Sequence, residues 1–212
     1  MEKNRKRLVI RIILITVVTV ILVLVAHICR NYFIGKELMS NMRKYIGNTN
    51  YHFTRKTMNE NEKEITDIYV KNDKRASFSK KYYDEDGTQE MAVYLSGDKL
   101  NMYTETIEGK NIAMIGIDNS DNTNFFLGYY VHISQFDFLS SLISKVIVDG
   151  KVCYKVNTIF NDNPDFIFEK ETGLTIRILD GNYLEEIKYE FGKVDDDIFI
   201  EPNLGEYEII EK

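Results

Sequence analysis

The chain has 212 residues, with 14 Tyr and 12 Phe but no Trp, and a formal net charge of −6. The charge is uneven: Lys3, Arg5, Lys6, Arg7, Arg11 and Arg30 against Glu2 make the first thirty residues +5, leaving 21 cations against 32 carboxylates, a net −11, for residues 31–212. So acidic a domain excludes nucleic acid and adsorption on anionic lipid, both of which would repel it, and the 2 cysteines exclude a disulfide framework.

The segment from Leu8 to Cys29 reads as a transmembrane anchor. Twelve of the fifteen residues from Ile12 to Ala26 are Ile, Leu or Val. At roughly −0.3 to −0.6 kcal/mol each near a bilayer centre, they favour insertion by about 4 to 7 kcal/mol. As a helix, Leu8 to Cys29 extends about 33 Å, enough to cross a hydrocarbon core of about 30 Å. Cys29 lacks the small residue before it that a lipoprotein signal needs, since Ile28 stands there, and Ala26-His27-Ile28 is a poor cleavage site. The reading is an uncleaved signal anchor. The basic tail places the N-terminus in the cytoplasm and the C-terminal domain outside it, in the cell envelope of a bacterium. The implied division is a cytoplasmic tail over 1–7, the span over 8–29, a juxtamembrane stretch over 30–35 and an extracytoplasmic domain over 36–212.

After the span, Ile34, Leu38, Met42 and Tyr45 fall in one column, with Met39 and Ile46 beside it, which predicts an amphipathic helix from Phe33 to Ile46. The pattern then turns to period two in runs around Tyr51–Arg55, Ile65–Val70 and Met91–Leu95. Turn signals stand at Asp86-Gly87, Gly97-Asp98, Glu108-Gly109, Asp149-Gly150, Glu171-Thr172-Gly173 and Asp180-Gly181, which predicts antiparallel hairpins. The polar run Asp118–Asn124 predicts a loop, with the aromatic stretch Phe125, Phe126, Tyr129 and Tyr130 after it. A capping-box start at Ser134 and Asp137, followed by Phe138, Leu139, Leu142, Ile143 and Val146 with Lys145 near the end, predicts a second helix.

No catalytic signature is present, and the expectation is a protein that is not an enzyme and carries no cofactor and no metal. His52 and His132 read as ordinary strand or loop residues. Asp118-Asn119-Ser120-Asp121-Asn122 fails as a calcium loop, because Tyr129 stands where a bidentate Glu belongs. Asp195-Asp196-Asp197 reads as a solvated turn. The aromatic load says more: residues alternating on the last strands would line one face of a sheet, either as core or as an apolar ligand cavity. Candidate lining residues are Leu38, Met42, Phe53, Met91, Val93, Phe138, Leu142, Phe166, Phe168, Ile187, Tyr189 and Phe191.

The element order, together with Phe168–Leu174, Ile187–Val194, Phe199, Pro202, Leu204 and Tyr207, resembles the lipoprotein-carrier superfamily, the LolA-like half-barrel, over about residues 36 to 210. The resemblance implies an α+β fold: an N-terminal transmembrane helix, then a curved antiparallel β half-barrel with two or more helices packed on its concave side around an apolar cavity. It also implies a membrane-anchored extracytoplasmic binding module for lipid, lipoprotein or another apolar ligand. The alternative is a cell-envelope interaction or sensor protein with a solid core and a protein partner. Permanent anchoring departs from a soluble carrier and favours capture or sensing at the membrane.

Overall fold

The structure is a computed structural model that describes residues 2–45, 47–60, 62–83, 87–96, 99–105, 109–118, 138–158, 164–192 and 194–211. Its first element is one uninterrupted helix, α1 (Glu2–Met42), of 41 residues. The apolar and amphipathic segments are thus a single rod about 60 Å long. The helix runs without interruption through residues 30–35: no proline stands in it, and its one glycine, Gly35, is held where an added Cβ would lie 2.9 Å from the Phe138 ring. The helix ends at Met42 rather than Ile46, through a tightened turn in which Tyr45 N–H donates to the Met42 carbonyl at 2.8 Å.

Among the described residues twelve strands form one sheet in the order β12-β6-β5-β4-β3-β2-β1-β11-β10-β9-β8-β7. The first meander is β1 (Asn50–Met58), β2 (Glu62–Lys71), β3 (Lys74–Tyr83), β4 (Gly87–Ser96), β5 (Lys99–Glu105) and β6 (Asn111–Asp118). The second is β7 (Ser141–Val148), β8 (Lys151–Thr158), β9 (Asp165–Glu169), β10 (Thr175–Asp180) and β11 (Tyr183–Phe191), which returns to pair antiparallel with β1. The chain then crosses the sheet and adds β12 (Glu208–Glu211) parallel to β6.

One expectation is overturned. The second helix, expected from Ser134 through Val146, is helical at Phe138 and Leu139, but from Ser141 to Val148 the chain forms β7, paired from Ser141↔Thr158 to Val148↔Lys151. Two local forces outweigh the helical spacing. Ile143, Val146, Ile147 and Val148 are β-branched and lose rotamer freedom in a helix. Asp149 (φ 50) and Gly150 (φ 77) supply the two positive φ angles of a tight I′ hairpin turn, which needs strands on both sides. Only α1 among the described α-helices packs on the sheet, so the two or more helices expected on its concave side reduce to one. Ser134 and Asp137, the proposed cap, lie outside the described residues, as do the loop and aromatic stretch expected between 119 and 130.

Each face of the sheet has its own core. On the helix side, Met42 joins Tyr51, Phe53, Ile68, Val70, Val93, Leu100, Leu174 and Ile187. Ile34 and Leu38 join Phe138, Ile143, Val156 and Phe168. The opposite face carries small residues, Ala76 and Ala113, beside Tyr94 and Tyr103, and these accommodate Ile198, Phe199 and Tyr207 of the crossing C-terminal segment. Asn101 and Tyr103 both donate to Glu201 Oε2, at 2.8 and 2.5 Å, and fasten that segment down. Burial, reinforced by Glu201, holds the Tyr103 phenol well above the usual tyrosine range.

Candidate functional site: a groove beside an open seam in the sheet

Eleven of the twelve residues expected to line a cavity sit on the helix side of the sheet or on α1 itself. Leu38, Phe53 and Phe138 are fully buried and Phe168 is 1 % exposed. Met42, Val93 and Ile187 are also buried. Met91, Phe166, Tyr189 and Phe191 pack against them in part. These side chains meet one another and α1, and Ile187, Tyr189 and Phe191 also face open space. The exception is Leu142. It is 57 % exposed, because its alternation in β7 turns it to the other face once the segment is a strand rather than a helix.

Open space lies next to this core, where two ladders end at different places. The β1–β11 ladder continues to Tyr51↔Phe191, but the β10–β11 ladder stops at Arg177↔Glu186. The sheet therefore opens beside Ile187–Phe191, and a groove of about 870 Å³ occupies the seam. Both faces of β11 line it. Ile187, Tyr189 and Phe191 with Tyr45 and Leu174 give an apolar floor, while Lys56, Arg177, Glu186 and Lys188 give a charged rim. Tyr45 is oriented by the Phe191 ring, 4.7 Å between centroids.

The groove wall formed by the β9–β10 turn is rigidly built. Gly173 adopts φ 71, and an added Cβ there would lie 2.1 Å from the Leu38 carbonyl, so the turn touches the α1 backbone. Asn41 Nδ2 donates to the Lys170 carbonyl at 2.9 Å across the same contact. Within the turn, Thr172 Oγ1 donates to Glu169 Oε2 at 2.8 Å, and Glu169 Oε1 receives Lys151 Nζ at 2.6 Å. That hydrogen bond raises the Lys151 ammonium above the ordinary lysine range. Arg177 pairs with Glu186 at 2.7 Å and reaches Asp149 at 3.7 Å, so both signs of charge are fixed at the rim.

The remaining sequence candidates fall elsewhere. His52, in β1, contacts Asp67 at 2.9 Å and stacks on Tyr69 with ring centroids 4.2 Å apart. Burial, then Asp67 and Glu190, raises the Tyr69 phenol. His132 lies outside the described residues. In the run Asp195-Asp196-Asp197, Asp196 receives Lys71 at 2.8 Å and Lys74 at 3.2 Å, which hold its carboxyl below the usual range. Among the described residues no group of three His, Cys, Asp or Glu is placed to hold a metal ion. Cys29 and Cys153 are both free thiols, and burial pushes the Cys153 thiol up.

No family model matches the chain, and no curated protein sequence matches it. Among solved structures it is similar to a crystal structure of MucB, with TM-score 0.40 and 11 % identity over 79 % of this chain and 62 % of that one. A second match is MucB in complex with MucA(peri), with TM-score 0.37 and 10 % identity, over 76 % of this chain and 57 % of that one. A third is PNGF-II, with TM-score 0.30 and 11 % identity, over 77 % of this chain and 32 % of that one. The chain spans less than two thirds of the length of each. At TM-scores below 0.5, such likenesses identify neither a family nor a function.

Proposed function

We propose that the chain is a non-catalytic, membrane-anchored interaction module of the cell envelope, with its N-terminus cytoplasmic and its sheet outside, that binds a segment of a partner protein in the β10–β11 groove. The observation that carries this reading is the division of labour between the two sides of the seam. The helix-facing interior, where an acyl chain would lodge, is filled by Leu38, Phe53, Phe138 and Phe168. The open groove has an apolar floor within a rim of both charges. A lipid tail leaves such a rim unused, whereas a peptide uses floor and rim together, with apolar side chains on the floor and charged ones paired at the edge. The anchor supports the same reading, because α1 carries 1 apolar stretch long enough to span a bilayer and runs unbroken into the sheet.

Photo-crosslinking in intact cells tests it. A photoreactive residue at Lys188, whose side chain is 76 % exposed at the rim, is expected to yield a discrete protein adduct. The same group at Ile200, 69 % exposed on the far segment, is expected to yield none. The same adducts from both positions, or none from Lys188, would refute the groove as a binding site.

A further inference from the structure

We infer that the edge strand β7 lies flat on the outer leaflet of the membrane that α1 crosses, as a built lipid-contact surface; this rests on the reading of α1 as a spanning helix. The level of the bilayer follows from the helix. With the span over Leu8–Cys29, its outer end falls within the turn of helix from His27 to Arg30, where the first charge after the apolar run, Arg30, reaches the headgroups. The last turn of that span is where the sheet is gripped. Asn31 Nδ2 donates to the Ser141 carbonyl at 2.8 Å, His27 Nε2 lies 3.2 Å from the same oxygen, and Arg30 donates to the Ile143 carbonyl at 3.0 Å. The start of β7 is thereby fixed at the boundary between acyl chains and headgroups.

The direction of β7 follows from how α1 crosses the sheet. Asn31 meets β7, and Met42 shares a core with Ile187 of β11, four strands further on. Four strand spacings are about 19 Å, and the eleven residues between those contacts rise about 17 Å. Only a helix laid nearly perpendicular to the strands covers that distance. With α1 crossing the bilayer, the strands lie close to the membrane plane, and β7, the first in the stack, is the sheet's lower edge.

The side chains on that edge suit the position. Leu142 is 57 % and Ile147 is 74 % exposed on β7, and Tyr32 and Phe33 stand 40 and 66 % exposed on the helix just beyond the span, where aromatic residues favour the interface. Lys145, exposed between Leu142 and Ile147, reaches lipid phosphates as β7 lies down. The contact also solves a problem of the fold. An edge strand invites pairing with another chain, and here α1 caps the Ser141 and Ile143 carbonyls while the membrane covers the rest.

The protein contains no tryptophan, so single-tryptophan variants report on position directly. The full chain carrying Leu142→Trp, Ile147→Trp or Ile200→Trp is reconstituted into phosphatidylcholine vesicles, with and without brominated acyl chains. The expected result is blue-shifted emission that brominated lipid quenches at both 142 and 147, with water-like, unquenched emission at 200. Quenching at 142 but not 147, or at neither in a chain that resists carbonate extraction, would overturn the flat edge while leaving the span intact. A chain released by carbonate would overturn the span and this inference with it.

Discussion

Replacing Gly173 by Ala tests the contact that joins α1 to the groove wall. Two costs add. At φ 71 any residue with a Cβ pays for left-handed backbone, about 1 to 2 kcal/mol. The new methyl would also stand 2.1 Å from the Leu38 carbonyl oxygen and 2.8 Å from the Met42 nitrogen, against an ordinary contact of about 3.5 Å, so turn and helix must separate by about 1 Å. Such overpacking costs a further 1 to 3 kcal/mol or so. Gly181 supplies the control, because its φ is 56 but nothing lies within 4 Å of the added atom. At about 2 to 4 °C per kcal/mol, Gly173→Ala should lower the thermal midpoint by about 10 °C and Gly181→Ala by about 3 °C. Circular dichroism melts of the detergent-purified chain measure both, and hydrogen exchange should show lost protection at Leu38–Met42 for the first variant alone. Equal shifts for the two would refute the close approach of the β9–β10 turn to α1.

Phe138→Ala should cost about 3 to 5 kcal/mol by leaving a void against Gly35, Leu38 and Phe168, read as a drop in denaturation midpoint, whereas Leu142→Ala in detergent should change it little. Asn31→Ala should cost about 1 to 2 kcal/mol in the same assay, since it removes the buried donor to the Ser141 carbonyl; Asn31→Gln should not restore it, the longer amide having no room at a site of 0 % exposure. Lys71 first, then Lys74, lowers the folded-state pKa of Asp196, so its contribution to stability is present above the ordinary carboxylate range and is lost as pH falls through the lowered value. Asp196→Asn should flatten the acid limb of a stability-against-pH curve; an unchanged limb would show that the Lys71 and Lys74 pairs are idle.

Much of this architecture was legible in the residues. The long apolar helix was legible in Ile12 to Ala26, and the hairpins in turn pairs such as Asp149-Gly150, because backbone handedness at a two-residue turn is a local property. The second helix fails from Ser141 onward because Leu142, Ile143 and Val146 satisfy helical spacing while also fitting a half-buried strand; the β-branched content and the following I′ turn were the signals that decided between them, whereas Phe138 and Leu139 are helical. Continuity of α1 through residues 30–35 was readable in principle, since nothing there breaks a helix. The groove was not. It arises because the ladder on one side of β11 ends at Glu186 and that on the other continues to Phe191, a relation between strands distant in sequence. Tyr189 and Phe191 look the same in sequence whether they meet a core, a cavity or an open seam. The parallel addition of β12 to β6 is invisible for the same reason, as four residues carry no mark of a partner about a hundred positions away.

Native mass spectrometry of the full chain, released from mild detergent before and after organic extraction and then offered lipid back, tests most directly whether the interior is core and the groove a protein-binding site. A filled interior predicts the bare protein mass in both states and no stoichiometric uptake. One lipid per chain that leaves on extraction and returns when offered would contradict it, and would make the chain a lipid-binding module instead.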